Sequence, residues 1–179
     1  MGSEVDNVEG CTNFVSDGDC IFLEDIKITC ILTPGHTMGH ICYFAVHEGK
    51  SAVFTGDTLF IGGVGKFFEG TAHDMHDSLN KLVSLPPDTE VYCGHEYTLS
   101  NYRFALSVES SNRDLVEANE RMSALRKQSK PTVPSTIGHE LRTNPFLRVT
   151  IPEISSHFSG CSGPIELLAA VREAKNRFK

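Results

Sequence analysis

The chain has 179 residues, of which 40% are hydrophobic and 22% charged, a composition that indicates a folded globular protein and excludes a disordered chain. No apolar run reaches the roughly 18 residues that cross a bilayer, and the net charge of −7 argues against nucleic-acid binding. The charge is uneven, because residues 1–98 carry 4 Lys and Arg against 15 Asp and Glu, whereas residues 99–179 carry 12 against 8. This asymmetry predicts two parts, the second suited to a small anion.

Residues 1–98 are predicted to form mainly β-strands. Runs rich in Ile, Val, Phe and Thr between turn residues are typical of short strands. Glu24-Asp25 interrupts the first run and predicts a hairpin turn, and Glu48-Gly49-Lys50 predicts another turn. The strands are predicted at 20–32, 41–46, 52–55 and 90–93.

One helix is predicted within this first half. Thr71 can cap it, and Asp74 would lie in its first turn. Met75, Leu79 and Leu82 then mark the buried face at helical spacing.

After residue 98 the chain is predicted to be mainly helical. Pro131 and Pro134 end one helix, and Gly163-Pro164 places a proline at the favourable first position of another. The apolar faces are predicted at Leu115, Ala118, Met122 and Leu125 in the first helix and at Ile165, Leu168 and Val171 in the second.

Six cysteines occur without any C-x-x-C pair. Several lie in apolar runs, where a reduced cysteine behaves as a small hydrophobe. Because no export signal is recognised at residues 1–6, free thiols in a reducing compartment are expected.

Three predicted strands end in a side chain that can bind a metal. His36 follows one strand in a loop rich in proline and glycine, and Asp57 and His95 each follow a glycine at the end of another. Each residue alone could be structural, as a turn aspartate or a core histidine. Their repetition favours a metal site, because imidazole and carboxylate suit zinc or iron. His40 is predicted to be structural, hydrogen-bonded to backbone near the site.

Two further stretches carry basic residues. The glycine-rich stretch 62–70 contains Lys66 but lacks the Ser or Thr of a phosphate-binding P-loop. It is predicted to be a mobile loop that places Lys66 on a carboxylate ligand, or else simply a surface lysine. Arg172 and Lys175 share a helical face. They could bind an anion, or they could only stabilise the helix dipole.

Together these motifs closely resemble glyoxalase II, the hydroxyacylglutathione hydrolases of the metallo-β-lactamase superfamily. The similarity runs from about residue 20 to the end. The matching motifs are Thr-Pro-Gly-His-Thr around His36, Phe-Thr-Gly-Asp-Thr-Leu-Phe around Asp57, Gly-Lys-Phe-Phe-Glu-Gly around Lys66, Tyr-Cys-Gly-His-Glu-Tyr around His95, and the segments 131–136 and 144–148.

The resemblance implies an α/β (α+β) fold. Residues 1–98 are expected to form the C-terminal half of a metallo-β-lactamase αββα sandwich. Residues 99–179 are expected to form a helical glutathione-binding domain.

The resemblance also implies a binuclear metal site. His36 corresponds to a ligand of one metal and His95 to a ligand of the other, and Asp57 corresponds to the catalytic carboxylate that bridges both. Zinc is expected, with iron or manganese as alternatives, because these ligands suit all three metals.

The same resemblance implies a site for glutathione. Lys66 and Tyr97 are expected to hold it, together with the loop of Phe67 and Phe68 and the neighbouring His95 and Glu96. Arg172 and Lys175 match the basic pair that receives its glycine carboxylate. Many family members have tyrosine in place of Phe68, and loss of that hydroxyl removes a hydrogen bond worth about 0.5–1.5 kcal/mol, so weaker glutathione binding is expected.

One family motif, His-x-His-x-Asp-His, does not occur in the sequence. Only part of the family's ligand set is therefore present, whereas a catalytic zinc normally takes three protein ligands. An N-terminally truncated member with doubtful turnover is expected. The sheet surface that the absent half would cover is expected to favour self-association.

The reaction implied is metal-assisted hydrolysis of the thioester S-D-lactoylglutathione to D-lactate and glutathione. Two other hypotheses stay open, a non-catalytic glutathione-binding or interaction protein and a persulfide dioxygenase, a mononuclear-iron relative that also uses glutathione. No nucleic acid and no membrane is expected as a partner. The expected location is the cytoplasm, with the mitochondrial matrix as the alternative.

Overall fold

A computed structural model describes residues 1–178 and contains a six-stranded sheet, a small hairpin and six helices. The strands of the sheet lie in the order β1-β2-β3-β4-β7-β8, and β5 and β6 pair separately. Their bounds are β1 Cys20–Leu23, β2 Ile26–Leu32, β3 Ile41–His47, β4 Lys50–Gly56, β5 Leu59–Phe60, β6 Gly63–Val64, β7 Glu90–Cys93 and β8 Ser135–Thr136.

The helices include the three that the sequence predicts and three that it does not. Thr71 caps the first helix in a reciprocal hydrogen-bonded pair with Asp74, as predicted. The bounds are α1 Ala72–Val83, α2 Thr98–Val108, α3 Arg113–Lys127, α4 Ile137–Thr143, α5 Pro152–Ser155 and α6 Pro164–Arg177. Among residues 1–178, no helix is both long enough and apolar enough to cross a membrane.

The direction of the strands places three loops at one edge of the sheet. β2 and β4 are each antiparallel to β3 and therefore run the same way, and β7 is parallel to β4. The carboxyl ends of β2, β4 and β7 consequently lie at the same edge. These are the strand ends at which the sequence predicts metal ligands.

The two faces of the sheet differ in what covers them. Val53 and Val91 are fully buried on one face, in a core that includes residues of α1, α2 and α6. On the other face, Val15 covers the end of the sheet near Cys30. The rest of this second face, which we call the open sheet face, exposes apolar side chains such as Phe54, which is 48% exposed.

Candidate active site

Three metal-competent side chains meet at the common edge of β2, β4 and β7. Asp57 follows β4 directly, and its Oδ2 lies 3.4 Å from Nε2 of His36 and 3.4 Å from Nε2 of His95. The structure therefore brings together the three residues that the sequence singles out. We refer to them as the His36–Asp57–His95 trio.

The hydrogen bonding of His36 assigns its tautomer. Its Nδ1 lies 3.0 Å from the carbonyl oxygen of Lys66, which can only accept, so Nδ1 carries the hydrogen. Neutral His36 then has its lone pair on Nε2, facing the carboxylate of Asp57. Two electron pairs repel one another unless a proton or cation lies between them. Their separation also exceeds the usual length of an N–H···O hydrogen bond.

Close packing holds Asp57 in place. Its backbone N–H donates to Nε2 of His40 over 3.2 Å, and the hydroxyls of Thr33 and Thr58 lie 2.9 and 3.0 Å from Nδ1 of His40. Burial lowers the pKa of His40, which favours the neutral ring that can accept this bond. His40 is thus structural, as predicted. A Cβ at Gly94 would lie 2.6 Å from Asp57 Oδ1, so this position requires glycine.

The side chains of the trio are of the types that bind a metal, but they are too few to complete a metal site. Imidazole and carboxylate suit zinc, iron and manganese, and electron pairs of His36 and Asp57 face each other. Among residues 1–178, however, no group of three or more His, Cys, Asp or Glu side chains could hold a metal ion as it is arranged. The trio alone is therefore not a complete metal centre.

A cleft of about 570 Å³ opens beside the trio, and we call it the strand-end cleft. This volume lies in the usual range of small-molecule sites. The cleft is lined by His36, Asp57, Phe60, Val64, Gly65, Lys66, Phe68, His95, Tyr97, Ser100, Asn101, Arg172, Lys175, Asn176 and Phe178.

Aromatic rings line part of this cleft. Tyr97 stacks on His95 with ring centroids 5.0 Å apart, and Phe60 meets the edge of Tyr97 at 5.4 Å. The Lys66 ammonium lies 5.9 Å from the ring of Phe68. Apolar rings and polar groups therefore stand together next to the trio, as in sites that bind an organic substrate.

Two cations line the cleft from α6. The Arg172 guanidinium is nearly buried, where it donates to the carbonyl of Val64 over 2.9 Å and to Oδ1 of Asn176 over 3.1 Å. Lys175 donates to the carbonyl of Ser100 over 2.8 Å. Burial lowers the pKa of Lys175 to about 8 and that of Arg172 to about 10. Both groups are positioned by protein contacts before any ligand binds.

Two predicted site residues lie outside the lining of the cleft. Phe67 packs against the hydrophobic core. The Glu96 carboxylate accepts from the backbone N–H of Thr132 over 2.9 Å and from its hydroxyl. Glu96 therefore joins the end of β7 to the segment before β8.

Three polar side chains that the sequence analysis does not predict as site residues hold the turn between β5 and β6. Asn101 donates to the Ile61 carbonyl and Asn144 to the Gly63 carbonyl at the start of β6, each over 3.0 Å, and Glu140 accepts from the Gly62 N–H over 2.8 Å. The sequence predicts a mobile loop over 62–70; the structure buries residues 61–65 and leaves Lys66 and Phe68 exposed. The only sequence signal for this clamp is the motif that begins at Asn144.

Asp6 supports the loop of His36 and was also missed. Its carboxylate accepts from the Thr37 hydroxyl over 2.6 Å and from the Gly39 N–H over 2.8 Å. An acidic residue in a polar N-terminal stretch gives no sequence signal for such a role.

Comparison with known proteins identifies both halves of the chain. Residues 5–95 match the metallo-beta-lactamase superfamily, and residues 96–178 match the family described as the hydroxyacylglutathione hydrolase C-terminus. The chain is 48% identical to the cytoplasmic hydroxyacylglutathione hydrolase of Arabidopsis thaliana, over 99% of this chain and 70% of the relative. It is 45% identical to the hydroxyacylglutathione hydrolase of Mesorhizobium japonicum, over 98% of this chain and 69% of the relative.

Solved structures agree on the fold. A metallo-beta-lactamase from Staphylococcus aureus matches with a TM-score of 0.56 at 23% identity, over 97% of this chain and 46% of that one. ETHE1 from Myxococcus xanthus matches with a TM-score of 0.54 at 26% identity, over 97% of this chain and 62% of that one. The chain thus spans less than two thirds of these structures. Since close relatives cover nearly its whole length, the chain belongs to the hydroxyacylglutathione hydrolases, thioester hydrolases of the metallo-β-lactamase superfamily.

Proposed function

We propose that the strand-end cleft binds S-D-lactoylglutathione and that the chain takes part in its hydrolysis to D-lactate and glutathione. One observation carries this proposal: the His36–Asp57–His95 trio and the Arg172 and Lys175 pair line the same cleft. A glutathione thioester has the matching chemistry, because its acyl group and its carboxylates lie at different points of one extended molecule.

Each proposed role follows from the position of the residue. Arg172 and Lys175 bind the glycine carboxylate of glutathione, since cations attract a carboxylate most strongly where water is partly excluded. Lys66 and Tyr97 hold the peptide between that end and the trio. The thioester lies at the trio, and its thiolate leaves without a strong general acid. Phe68 contributes an apolar contact and no hydrogen bond.

The metal that we propose is zinc, with iron or manganese as alternatives. His36, Asp57 and His95 would supply part of the ligands of a binuclear site, His36 to one metal, His95 to the other and Asp57 to both, and the metals would polarise the thioester carbonyl. The donor types and the facing electron pairs of the trio support this proposal.

We further propose a division of labour at about residue 98. Residues 1–98 supply the trio and Lys66, and residues 99–179 supply the basic pair. The net charges of the two parts agree with this division, because only the second part is net basic.

The open sheet face and the known relatives support two smaller proposals. Exposed apolar residues on the open sheet face support self-association through it. The similarity to a cytoplasmic relative supports a cytoplasmic location over the mitochondrial matrix.

The first experiment is hydrolysis of S-D-lactoylglutathione by the purified chain in zinc-supplemented buffer. Asp57→Ala is expected to lower turnover by on the order of a hundredfold or more, because it removes the carboxylate that faces both imidazoles. Asp25→Ala, in the exposed turn between β1 and β2, is the matched control and is expected to leave turnover unchanged. Equal activity of Asp57→Ala and the wild type would refute the proposed site.

Binding of S-hexylglutathione, measured by calorimetry, tests the peptide part of the cleft separately. Lys66→Ala is expected to weaken binding, whereas Lys127→Ala on the exposed surface of α3 is expected to leave it unchanged. Binding without turnover in the folded chain would support the non-catalytic alternative, which no present observation favours. Absence of both would overturn the proposed function.

A further inference from the structure

A second groove lies away from the strand-end cleft. It occupies about 440 Å³ between α3, α4 and the segment 131–136, and it shares no lining residue with the strand-end cleft. We call it the Arg121 groove. The proposed hydrolysis uses none of its residues.

The rim of the Arg121 groove is basic. Arg121 and Arg142 both line it. Arg142 is paired with Asp114 at 3.4 Å, whereas Arg121 forms no salt bridge with any carboxylate of residues 1–178. The rim therefore carries an excess of positive charge and one guanidinium with its donors available.

The floor of the groove combines apolar side chains with polar ones, among them Thr132, Ser135 and His139. Met122, Leu125 and Val133 provide hydrophobic surface from α3 and from the chain before β8. His139 also lines the groove, and its Nε2 lies 3.2 Å from the hydroxyl of Tyr102. Its Nδ1 makes no hydrogen bond within residues 1–178 and is available to a ligand.

The electrostatic environment of His139 agrees with the charge of the rim. Burial, followed by the positive charges of Arg121 and Arg142, lowers its pKa. The charges of the two arginines therefore reach the floor of the groove, and Asp114 acts in the opposite direction. A small anion in the groove would lie near both guanidinium groups.

We propose that the Arg121 groove is a binding site for a small organic carboxylate with an apolar body. Its carboxylate pairs with the guanidinium of Arg121, which offers a two-pronged donor geometry that matches a carboxylate. Its apolar body covers Met122, Leu125 and Val133. The volume of the groove is that of a site for such a small molecule.

Titration of the ¹⁵N-labelled chain with 2-naphthoate, followed by NMR, tests this proposal. The amide signals of residues 132, 133, 135, 136 and 139–142 are expected to shift in a saturable manner, since Pro131 and Pro134 carry no amide hydrogen. The uncharged isostere 2-naphthamide is expected to bind these residues at least about fivefold more weakly, because it lacks the charge that Arg121 pairs with. Equal binding of the two probes would overturn the proposal.

Matched variants locate the charge. Arg121→Gln is expected to weaken naphthoate binding by about fivefold. Arg113→Gln, an exposed arginine on the same helix outside the groove, is expected to leave binding unchanged. Shifts confined to residues of the open sheet face, or equal effects of the two variants, would show that no anion site exists at Arg121.

Discussion

The carboxylates of Glu140 and Asp57 have different surroundings. Hydrogen-bond donors surround that of Glu140, and two imidazole rings face that of Asp57. Glu140 is fully buried, and its oxygens accept from the N–H of Gly62 over 2.8 Å, from the Ser135 hydroxyl over 2.6 Å and from the Asn144 amide over 3.0 Å. Asp57 is partly exposed, and the trio's two imidazole nitrogens face it at a distance too long for good hydrogen bonds.

This difference separates a structural carboxylate from a functional one. Burial raises the pKa of Glu140, and its hydrogen bonds act in the opposite direction. Removing Glu140 would leave buried donors without a partner, which is costly. Removing Asp57 would leave groups that water can reach. We therefore expect Glu140 to determine stability and Asp57 to determine function.

The largest expected effect is that of Glu140→Leu on stability. The variant removes the acceptor of the Gly62 N–H and of the Ser135 hydroxyl, whereas the Asn144 amide keeps the carbonyls of Phe60 and Gly63, so the free energy of unfolding is expected to fall by about 3 kcal/mol. Glu140→Gln keeps one acceptor oxygen and should lose less. Urea denaturation measures both. A loss below about 1 kcal/mol for the leucine variant would break the comparison.

Gly94→Ala tests how strictly the position of Asp57 is set. The new Cβ would lie 2.6 Å from Asp57 Oδ1 and push the carboxylate aside. Turnover is expected to fall at least about tenfold, with a loss of stability of about 1–2 kcal/mol. Gly163→Ala, whose Cβ meets nothing within 4 Å, is the control. Unchanged kinetics for Gly94→Ala would contradict the proposed role of Asp57.

Lys175 predicts a pH dependence of glutathione binding. With a pKa of about 8, its ammonium is charged below that pH and becomes neutral above it. Affinity for S-hexylglutathione is therefore expected to fall by about fivefold as the pH rises through 8. The α-amino group of S-hexylglutathione titrates in a similar pH range. The pH profile of binding to Lys175→Met must therefore be subtracted from that of the wild type. Parallel pH profiles for the wild type and Lys175→Met would show that Lys175 does not contribute to glutathione binding.

The smallest expected effect is that of Asp57→Asn on stability. The side chain makes no buried contact that the amide cannot tolerate, so the free energy of unfolding is expected to change by less than about 0.5 kcal/mol. Thermal or urea unfolding of the folded variant measures this. A loss above about 1.5 kcal/mol would show that Asp57 is structural after all.

The elements that the sequence predicts well are those with local signals. The strands are β-rich runs bounded by turn residues, and α1 begins after the capping residue Thr71. Helix α2 was missed because its first turn lacks a side-chain cap. Its buried face also includes the polar Thr98 and Asn101, which breaks the apolar periodicity.

The sequence predicts those site residues that lie in recognisable motifs. It does not predict the side-chain contacts that depend on the tertiary fold. Strand ends and the family resemblance place most of the expected residues on one cleft. Glu96 adjoins His95, yet its side chain binds Thr132 instead, because the chain bends between the two residues. A buried Glu140 has no sequence signal, since glutamate on a helix normally faces water.

The core described for the sheet also determines how the molecule unfolds. Val53 and Leu79 from the first half pack in the same cluster as Phe104, Ile137 and Leu168 from the second. Strand β8 belongs to the second half and pairs with β7. Neither half can bury its apolar surface alone, so we expect one cooperative unfolding transition. Proteolytic cleavage near residue 98 should therefore release no folded fragment, although the proposed roles of the cleft residues are divided at that point.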